Sequence, residues 1–370
     1  MVKRPTVRQA TTADKAAIFE FLRRSRVSNT HFKIPYRWKW QFEENPFRKK
    51  QSLPVWVAFD GRQVVGQSCA MIEPVKVGKQ ELKVGWSVDT FVLPRYRGQG
   101  LGQRLQELNQ NSHDVFMSLK MSHSNARIKA RLGGFALPKL SLLKLRTQII
   151  SRTLDNRLAR TSAQLSSAIS RSGMSSLMAN MYTKYLDRTW KQRTRQLKHN
   201  FTFCEVNRFG HEVLPLGRDL STNYDLVICR DQRYLNWKFV EQPHMNHRRF
   251  LVYRQQHVVG YVVLRQCAPP EPNTGVIVDL ATHSNDDKDT LSALIVFATN
   301  WFRKRQVTTI KAASTARHLK DIYRSLGFSE YRHLIPMCHL QPHVRHTLSA
   351  NCRTFFSFGD HDLDQFPMHK

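Results

Sequence analysis

The most constraining feature of this 370-residue chain is a glycine-rich, basic turn that joins an apolar strand to a helix. Residues 88–102 read Val-Asp-Thr-Phe-Val-Leu-Pro-Arg-Tyr-Arg-Gly-Gln-Gly-Leu-Gly. Because Gly98, Gly100 and Gly102 remove side chains from the turn, consecutive backbone N–H groups can face one anion. The start of the helix adds free amides and its positive dipole end. The turn therefore predicts a binding site for a pyrophosphate.

Two common phosphate-binding patterns do not fit this turn. A Walker loop needs Gly-Lys-Ser/Thr, which the sequence lacks. A dinucleotide-binding unit needs an acidic residue at the end of the next strand, and no strand ends beside Asp114. The pattern Arg97-x-x-Gly100-x-Gly102, after a strand that ends in Val-Leu-Pro at 92–94, resembles the acetyl-CoA signature of the GNAT superfamily of N-acyltransferases. The resemblance covers about residues 5–140.

The resemblance implies that an acyl-CoA, most commonly acetyl-CoA, is the co-substrate and that an acceptor amine attacks the thioester directly. The pyrophosphate would lie on the turn, and the pantetheine would pair with Thr90–Leu93 as an added strand does. A backbone N–H in this strand would polarise the thioester carbonyl. The residues implied to hold the cofactor are Phe91 or Val92 through that N–H, and Arg97, Gly98, Gln99, Gly100, Leu101, Gly102 and Asn125.

Asp89 is the candidate general base, because it lies in the strand that leads to the cofactor among apolar neighbours that would raise its pKa. The recurrence of Asp279 at the matching place in the second half favours a bracing role for both residues instead. Glu43 and Glu44 are alternative bases. Many GNAT domains place a general-acid Tyr four residues before the Gly of a Gly-Phe pair. Here that place holds Ala130, so the acid is unassigned.

An internal repeat predicts that the scaffold occurs twice. Residues 40–46 and 237–243 match at Trp, Phe, Glu and Pro in register. Each copy is followed by a strand with Val-Val-Gly, a strand with Val-Asp and a helix, in the same order. The expected fold class is therefore α/β (α+β), with two tandem GNAT-like domains. Each would be a mixed, mainly antiparallel sheet flanked by helices.

The repeat also divides the chain. Residues 1–140 are predicted to form the acyl-CoA-binding domain, and residues 200–345 a degenerate copy of it. A basic helical linker is expected over residues 141–199, with an apolar side formed by Leu142, Leu143, Leu145, Ile149, Ile150 and Leu154. Residues 346–370 would form a tail that packs on a domain through its three closely spaced Phe residues.

The second copy carries the opposite mixture of features from the first. Tyr323 occupies the general-acid position before Gly327. The phosphate turn is replaced by residues 284–289, which contain no glycine and three aspartates. Because these carboxylates would repel a pyrophosphate, catalysis is expected in the first copy alone.

Charge and composition limit the compartment and the partners. A formal net charge of +30 attracts polyanions and favours a neutral or acidic acceptor over a polycation. The basic segment 141–199 suits contact with a membrane surface or with nucleic acid. The sequence shows no signal peptide and no run of about 18 apolar residues. Six single cysteines fit the reducing cytoplasm, and the histidines near the C-terminus lack the spacing of a zinc site, so no metal is expected.

Two alternatives to acyl-CoA-dependent N-acyl transfer remain open. The first is a tandem-GNAT transferase that uses aminoacyl-tRNA to build peptide bridges, which the basic charge would suit. Such enzymes do not need an intact CoA turn, and this chain has one. The second is a non-catalytic scaffold that senses CoA or binds nucleic acid, which the missing Tyr at Ala130 would allow.

Overall fold

The structure is a computed structural model, and it describes residues 5–25, 30–49, 52–147, 200–283, 288–349 and 351–366, with isolated positions between Leu177 and Arg195. The helices of the first half are α1 (Lys15–Arg24), α2 (Thr30–Phe32), α3 (Leu101–Asn111) and α4 (His123–Arg131), with shorter helical turns at Thr12–Asp14, Lys33–Arg37, Lys39–Glu43 and Pro94–Tyr96. Its strands are β1 (Thr6–Gln9), β2 (Val55–Asp60), β3 (Gln63–Val77), β4 (Gln80–Val92), β5 (Val115–Ser118), β6 (Phe135–Ala136) and β7 (Leu140–Arg146).

The second half repeats this order of elements. Its helices are α5 (Leu214–Asn223), α6 (Gln232–Phe239), α7 (Lys288–Arg303), α8 (Arg317–Ser325) and α9 (Pro342–Arg345), with a helical turn at His211–Val213. Its strands are β8 (Thr202–Glu205), β9 (Leu226–Ile228), β10 (Arg248–Arg254), β11 (His257–Gln266), β12 (Thr274–Thr282), β13 (Thr309–Ser314), β14 (Ser329–Leu334), β15 (Met337–Leu340) and β16 (Thr354–Phe355). The predicted α/β fold class is confirmed.

The elements form where apolar side chains recur with the period of a helix or a strand. In α1, Ile18 and Phe21 are buried on one face, three residues apart. In β4, the apolar side chains of Val84, Trp86 and Val88 are buried at every second position. Both patterns place the apolar faces in one continuous core.

The two sheets exchange strands. The first has the order β1-β2-β3-β4-β5-β15-β6, with β9 beside β3 and β16 beside β9. The second has the order β14-β7-β13-β12-β11-β10-β8. Strand β15 therefore leaves the second half to lie between β5 and β6, and β7 leaves the first half to lie between β13 and β14. Each sheet is complete only when the other half contributes to it.

The prediction of a helix that begins at residue 141 is wrong over 141–146, which form most of β7. Leu142 packs in one hydrophobic core, while Leu143 and Leu145 pack in the other. A strand that is buried on both faces has a nearly continuous apolar sequence, which resembles that of a buried helix. The predicted apolar positions Ile149, Ile150 and Leu154 lie outside the described residues.

The repeated tryptophans meet where the two halves join. The rings of Trp40 and Trp237 stack with centroids 4.7 Å apart and an interplanar angle of 15°. The Trp40 indole N–H donates to the carbonyl of Trp237 at 2.9 Å, and the Trp237 indole N–H donates to the carbonyl of Trp40 at 3.4 Å. The contact is therefore reciprocal, as expected for equivalent residues that pack across a twofold arrangement.

The tail packs inside the molecule as predicted. Phe355, Phe356 and Phe358 are all buried. Among the described residues, no helix combines the length and the apolar character needed to cross a bilayer. The described residues also contain no group of three or more His, Cys, Asp or Glu side chains placed to bind a metal.

Candidate active site

A wedge between two parallel strands forms the centre of the candidate site. Strand β4 pairs with β5 only where residues 84–86 lie beside residues 115–117. From residue 88 to its end at Val92, β4 is paired with β3 on one side, and no strand of the described chain lies on the other. The backbone of this open edge is available to an added strand or to an extended ligand with amide groups.

A β-bulge at Asp89 turns β4 away from β5. Asp89 has a φ of 49°, and the register with β3 shifts between Gln67 and Cys69. The side-chain amide of Gln67 donates to the carbonyl of Asp89 at 3.0 Å, which fixes the bulge. A positive φ at a non-glycine residue costs of order 1–3 kcal/mol. The surrounding contacts therefore hold a conformation that opens the wedge.

The backbone of Val92 faces this wedge. The N–H of Leu93 donates to the carbonyl of Val65 in β3 at 2.9 Å. Because backbone groups alternate along an antiparallel ladder, the N–H and C=O of Val92 point away from β3, and the N–H of Phe91 points toward it. The carbonyl of Val92 accepts a hydrogen bond from Arg97 Nε at 2.9 Å. Of the two predicted donors, Val92 is the one directed to the open edge.

The glycine-rich turn has the backbone conformation that its sequence predicts. Gly98 and Gly100 have φ values of 78° and 77°, and a Cβ atom on either residue would meet nothing within 4 Å. Conformation, and not space, therefore requires glycine at both positions. The N–H of Arg104 is the first to bond within α3, to the carbonyl of Gly100 at 3.0 Å. The preceding amides are left for another acceptor, such as a phosphate.

Asn125 lies where α4 packs against α3. Its side-chain oxygen accepts a hydrogen bond from Gln106 of α3 at 3.4 Å. The cap of α4 is Ser122, whose hydroxyl accepts from the N–H of Asn125 at 3.3 Å. Asn125 is therefore not itself the helix cap. The structure places it across the helix pair from the turn and leaves its predicted contact with the cofactor as a prediction.

The pKa of Asp89 shifts in the opposite direction to the one expected. Its carboxylate accepts from Lys33 Nζ at 2.5 Å and from Arg37 Nη2 at 2.8 Å. Burial raises the pKa of Asp89, but the charges of Arg37 and Lys33 outweigh burial and lower it. The expectation rested on the apolar residues that flank Asp89 in the sequence. The two cations that lower its pKa come from a segment more than 50 residues earlier. A carboxylate held by two cations is a poor proton acceptor, which favours the bracing role.

The second copy supports the same conclusion about Asp89. Asp279 accepts from Arg230 Nε at 3.0 Å and from the hydroxyl of Tyr261 at 2.7 Å. Arg230 precedes Trp237 by seven residues, just as Lys33 precedes Trp40. In both halves, therefore, the cation seven residues before the repeated Trp pairs with the aspartate of the corresponding strand.

The alternative bases are also engaged. Glu43 accepts from the indole of Trp38 at 2.9 Å and from Lys15 at 3.0 Å. The exposed Glu44 pairs with Lys39 at 2.9 Å. Both carboxylates thus have local partners within the first 44 residues.

The tail fills the corresponding wedge of the second copy. Strands β12 and β13 pair only over residues 274–276 and 309–311. Beyond that point, the N–H of Gly359 donates to the carbonyl of Val278 at 2.8 Å, and Phe356 accepts from the N–H of Thr315 at 3.2 Å. Residues 284–287 of the predicted acidic turn lie outside the described residues, and its last two residues, Lys288 and Asp289, begin α7.

The structure places Lys129, and not Ala130, at the position that corresponds to Tyr323 of the second copy. Gly133, whose φ is 81°, lies two residues after the end of α4, and Gly327, whose φ is 91°, lies two residues after the end of α8. The residue after each glycine donates its N–H to the carbonyl five positions earlier, Lys129 in α4 at 2.9 Å and Tyr323 in α8 at 3.0 Å. Ala130 is exposed. The first copy has two glycines before its Phe, which shifted the sequence comparison by one residue.

Comparison with known proteins agrees with this architecture. Residues 6–114 match a family described as an acetyltransferase (GNAT) domain. Similar solved structures are a GCN5-related N-acetyltransferase from Anabaena variabilis (13% identity, 91% of this chain and 73% of that chain, TM-score 0.55) and another from Kribbella flavida (12%, 92% and 71%, 0.56). A third is a probable N-acyltransferase from Enterococcus faecalis (11%, 91% and 73%, 0.56). A search of curated proteins gave no match.

The family match and the fold similarity agree with each other. Residues 6–114 of the first half match a GNAT acetyltransferase domain. The whole chain has a fold similar to that of solved GCN5-related N-acetyltransferases, and its two halves have a similar order of elements.

Proposed function

We propose that this protein transfers an acyl group from an acyl-CoA, with acetyl-CoA as the first candidate, to a primary amine, and that the first copy is the catalytic one. The observation that carries the proposal is the contrast between the two wedges. In the first copy β4 has an open edge beside a glycine-rich turn, whereas the wedge of the second copy is filled by residues 356–359. We further propose that residues 1–140 form the catalytic unit, completed by β15.

The residues of the first copy suit such a co-substrate. The amides of the turn at 98–102 would hold the pyrophosphate, and the open edge of β4 would hold the pantetheine. Bound acyl-CoA supplies an activated thioester to the site. The N–H of Val92 would donate to the carbonyl oxygen of that thioester and stabilise the charge that develops there. Asn125 is proposed as a further contact from α4.

Asp89 is proposed as a positioning residue in this reaction. It links the bulge of β4 to Lys33 and Arg37, and so holds the helical turn Lys33–Arg37 against the wedge. The acceptor must lose a proton, and with its low pKa Asp89 is not suited to take it. The acceptor is proposed to be neutral or acidic, because the net charge of +30 repels a polycation at long range.

Calorimetry with acetyl-CoA tests the proposal through Gly100→Glu. This variant places a carboxylate beside the predicted pyrophosphate site at a position whose φ is 77°. Repulsion of about 1–3 kcal/mol predicts binding roughly fivefold to 150-fold weaker than in the wild type.

The matched control for this experiment is Gly327→Glu in the second copy. Gly327 is also exposed and has a φ of 91°, and its nearest neighbour to an added Cβ is Leu145 at 3.5 Å. The control has the same added charge and a similar backbone strain, and it is expected to bind acetyl-CoA like the wild type. No binding by the wild type would refute the proposal. Salt-sensitive tRNA binding without CoA affinity would favour the aminoacyl-tRNA alternative.

A further inference from the structure

Helix α4 contains a buried amine that no carboxylate neutralises. The side chain of Lys129 is 4% exposed, and among the described residues its Nζ has no hydrogen-bond partner. The amine lies over the ring of Phe116 in β5, whose centroid is 4.6 Å from Nζ. Unpaired lysines are rarely buried, since the charge loses its hydration without compensation. The position of Lys129 therefore requires an explanation.

Lys129 lies close to the apex of the open wedge. Phe116 belongs to the three-residue segment where β5 pairs with β4, immediately before the strands separate. Ser118 is two residues further along β5 and so faces the same side of the sheet as Phe116. Its hydroxyl is also buried without a partner in the described part of the chain. Two buried polar groups without a partner among the described residues therefore border the apex, Ser118 on β5 and Lys129 on α4.

The opposite end of the wedge is the anion-binding turn. Four residue steps of β4 separate Leu93, at the turn, from the bulge at Asp89, a distance of about 13 Å at the usual strand rise. A pantetheine that begins at the turn and lies extended along this edge brings its sulfur toward the apex. Lys129 lies on the same face of α4 as Asn125, one turn further along the helix. The amine is thus on the helix face that borders the path of the pantetheine.

We propose that Lys129 is the proton donor to the thiolate of CoA that leaves during acyl transfer. The inference rests on the function proposed above. As the neutral acceptor amine forms its bond to the acyl carbon, the carbon–sulfur bond breaks and its electron pair goes to sulfur. The nitrogen becomes positively charged in this step and loses one proton to solvent. The sulfur then takes a proton from the ammonium of Lys129, which becomes a neutral amine. Solvent returns the proton to Lys129 after the product leaves.

The electrostatic surroundings suit a donor of this kind. Burial lowers the pKa of Lys129 to about 7. A thiol has a pKa of about 8.5, so the transfer of a proton from Lys129 to a thiolate is favourable. The titratable and charged groups nearby are His339 in β15, His113, whose ring stacks on Phe116, and Arg345. Burial lowers the pKa of both histidines, and none of these groups is a carboxylate that could hold the ammonium.

The test is acetyl transfer from acetyl-CoA to hydroxylamine, a small amine probe, measured as the release of the CoA thiol between about pH 6 and about pH 9. It compares the wild type, Lys129→Met and the control Arg127→Met. Arg127 is an exposed residue of the same helix, so its substitution removes one positive charge outside the wedge. We expect the wild type and the control to react at least about tenfold faster than Lys129→Met near the lower end of this range, and the ratio to fall as the pH rises above 7, because Lys129 then loses the proton that it donates.

A second measurement follows the pKa of Lys129 by NMR after reductive methylation of the wild type with labelled formaldehyde. We expect this pKa to stay below that of a thiol, about 8.5, when CoA is bound. Equal reaction rates for all three proteins at every pH, or a Lys129 pKa above that of a thiol in the complex, would refute the assignment while CoA binding stays intact. Failure of the wild type to bind CoA would instead refute the proposed function as well.

Discussion

The buried Lys129 predicts a specific dependence of stability on pH. Its pKa is about 7 in the folded protein, whereas an ordinary lysine, such as the same residue in the unfolded chain, has a pKa of 10.5. Between these two values the unfolded chain binds one proton more than the folded chain, so the free energy of unfolding of the wild type rises with pH. The slope is about 1 to 2 kcal/mol for each pH unit, and the total across this interval is about 4 to 5 kcal/mol.

Replacement of Lys129 by Met removes this dependence. Met has an unbranched chain of similar length and no charge, so it fits the apolar surroundings of Phe116 without a cost of desolvation. We expect Lys129→Met to be more stable than the wild type at pH 7. The difference should shrink steadily as the pH approaches 10, where the wild-type amine is neutral in the folded protein and increasingly neutral in the unfolded chain.

The assay is urea unfolding followed by tryptophan fluorescence at pH 7, 8, 9 and 10. Arg127→Met is the control, and its stability should follow the wild type across the series because Arg127 is exposed. The deciding quantity is the difference in unfolding free energy between Lys129→Met and the wild type at each pH. A difference that stays constant from pH 7 to pH 10 would show that Lys129 keeps an ordinary pKa in the folded protein, and the reasoning would be refuted.

Two further substitutions test other parts of the structure. Asp89→Asn leaves Lys33 and Arg37 buried without a carboxylate, so urea unfolding should show a loss of unfolding free energy of about 3 to 5 kcal/mol. The control Glu44→Gln, in an exposed ion pair, should change the stability little. A loss below about 1 kcal/mol for Asp89→Asn would contradict the bracing role. Phe356→Ala empties a fully buried site in the second wedge and should cost about 3 to 5 kcal/mol in the same assay. An unchanged stability would mean that the tail does not occupy that wedge in solution.

The features that the sequence predicted correctly are those contained in one short segment. The turn at 98–102 follows its strand and precedes its helix directly, so residue types and spacing suffice to predict its conformation. The repeat is equally local, since each Trp motif is compared with its copy residue by residue. The stacking of Trp40 on Trp237 is a consequence that the sequence pattern did not reveal.

The features that sequence reasoning missed depend on distant contacts. The pKa of Asp89 is set by cations more than 50 residues away, and β7 is a strand because it enters the sheet of the other half. Lys129 was missed for a different reason. Only the backbone geometry at Gly133 and Gly327 shows which residues of α4 and α8 are equivalent.

The central claim is that acyl-CoA binds to the open wedge of the first copy and not to the filled wedge of the second. Amide hydrogen exchange with and without acetyl-CoA tests this most directly, because it reports each backbone segment separately. We predict slower exchange over residues 90–104 when acetyl-CoA is present, and unchanged exchange over residues 276–290 and 354–360. Protection of the second set, or no protection of the first, would contradict the account.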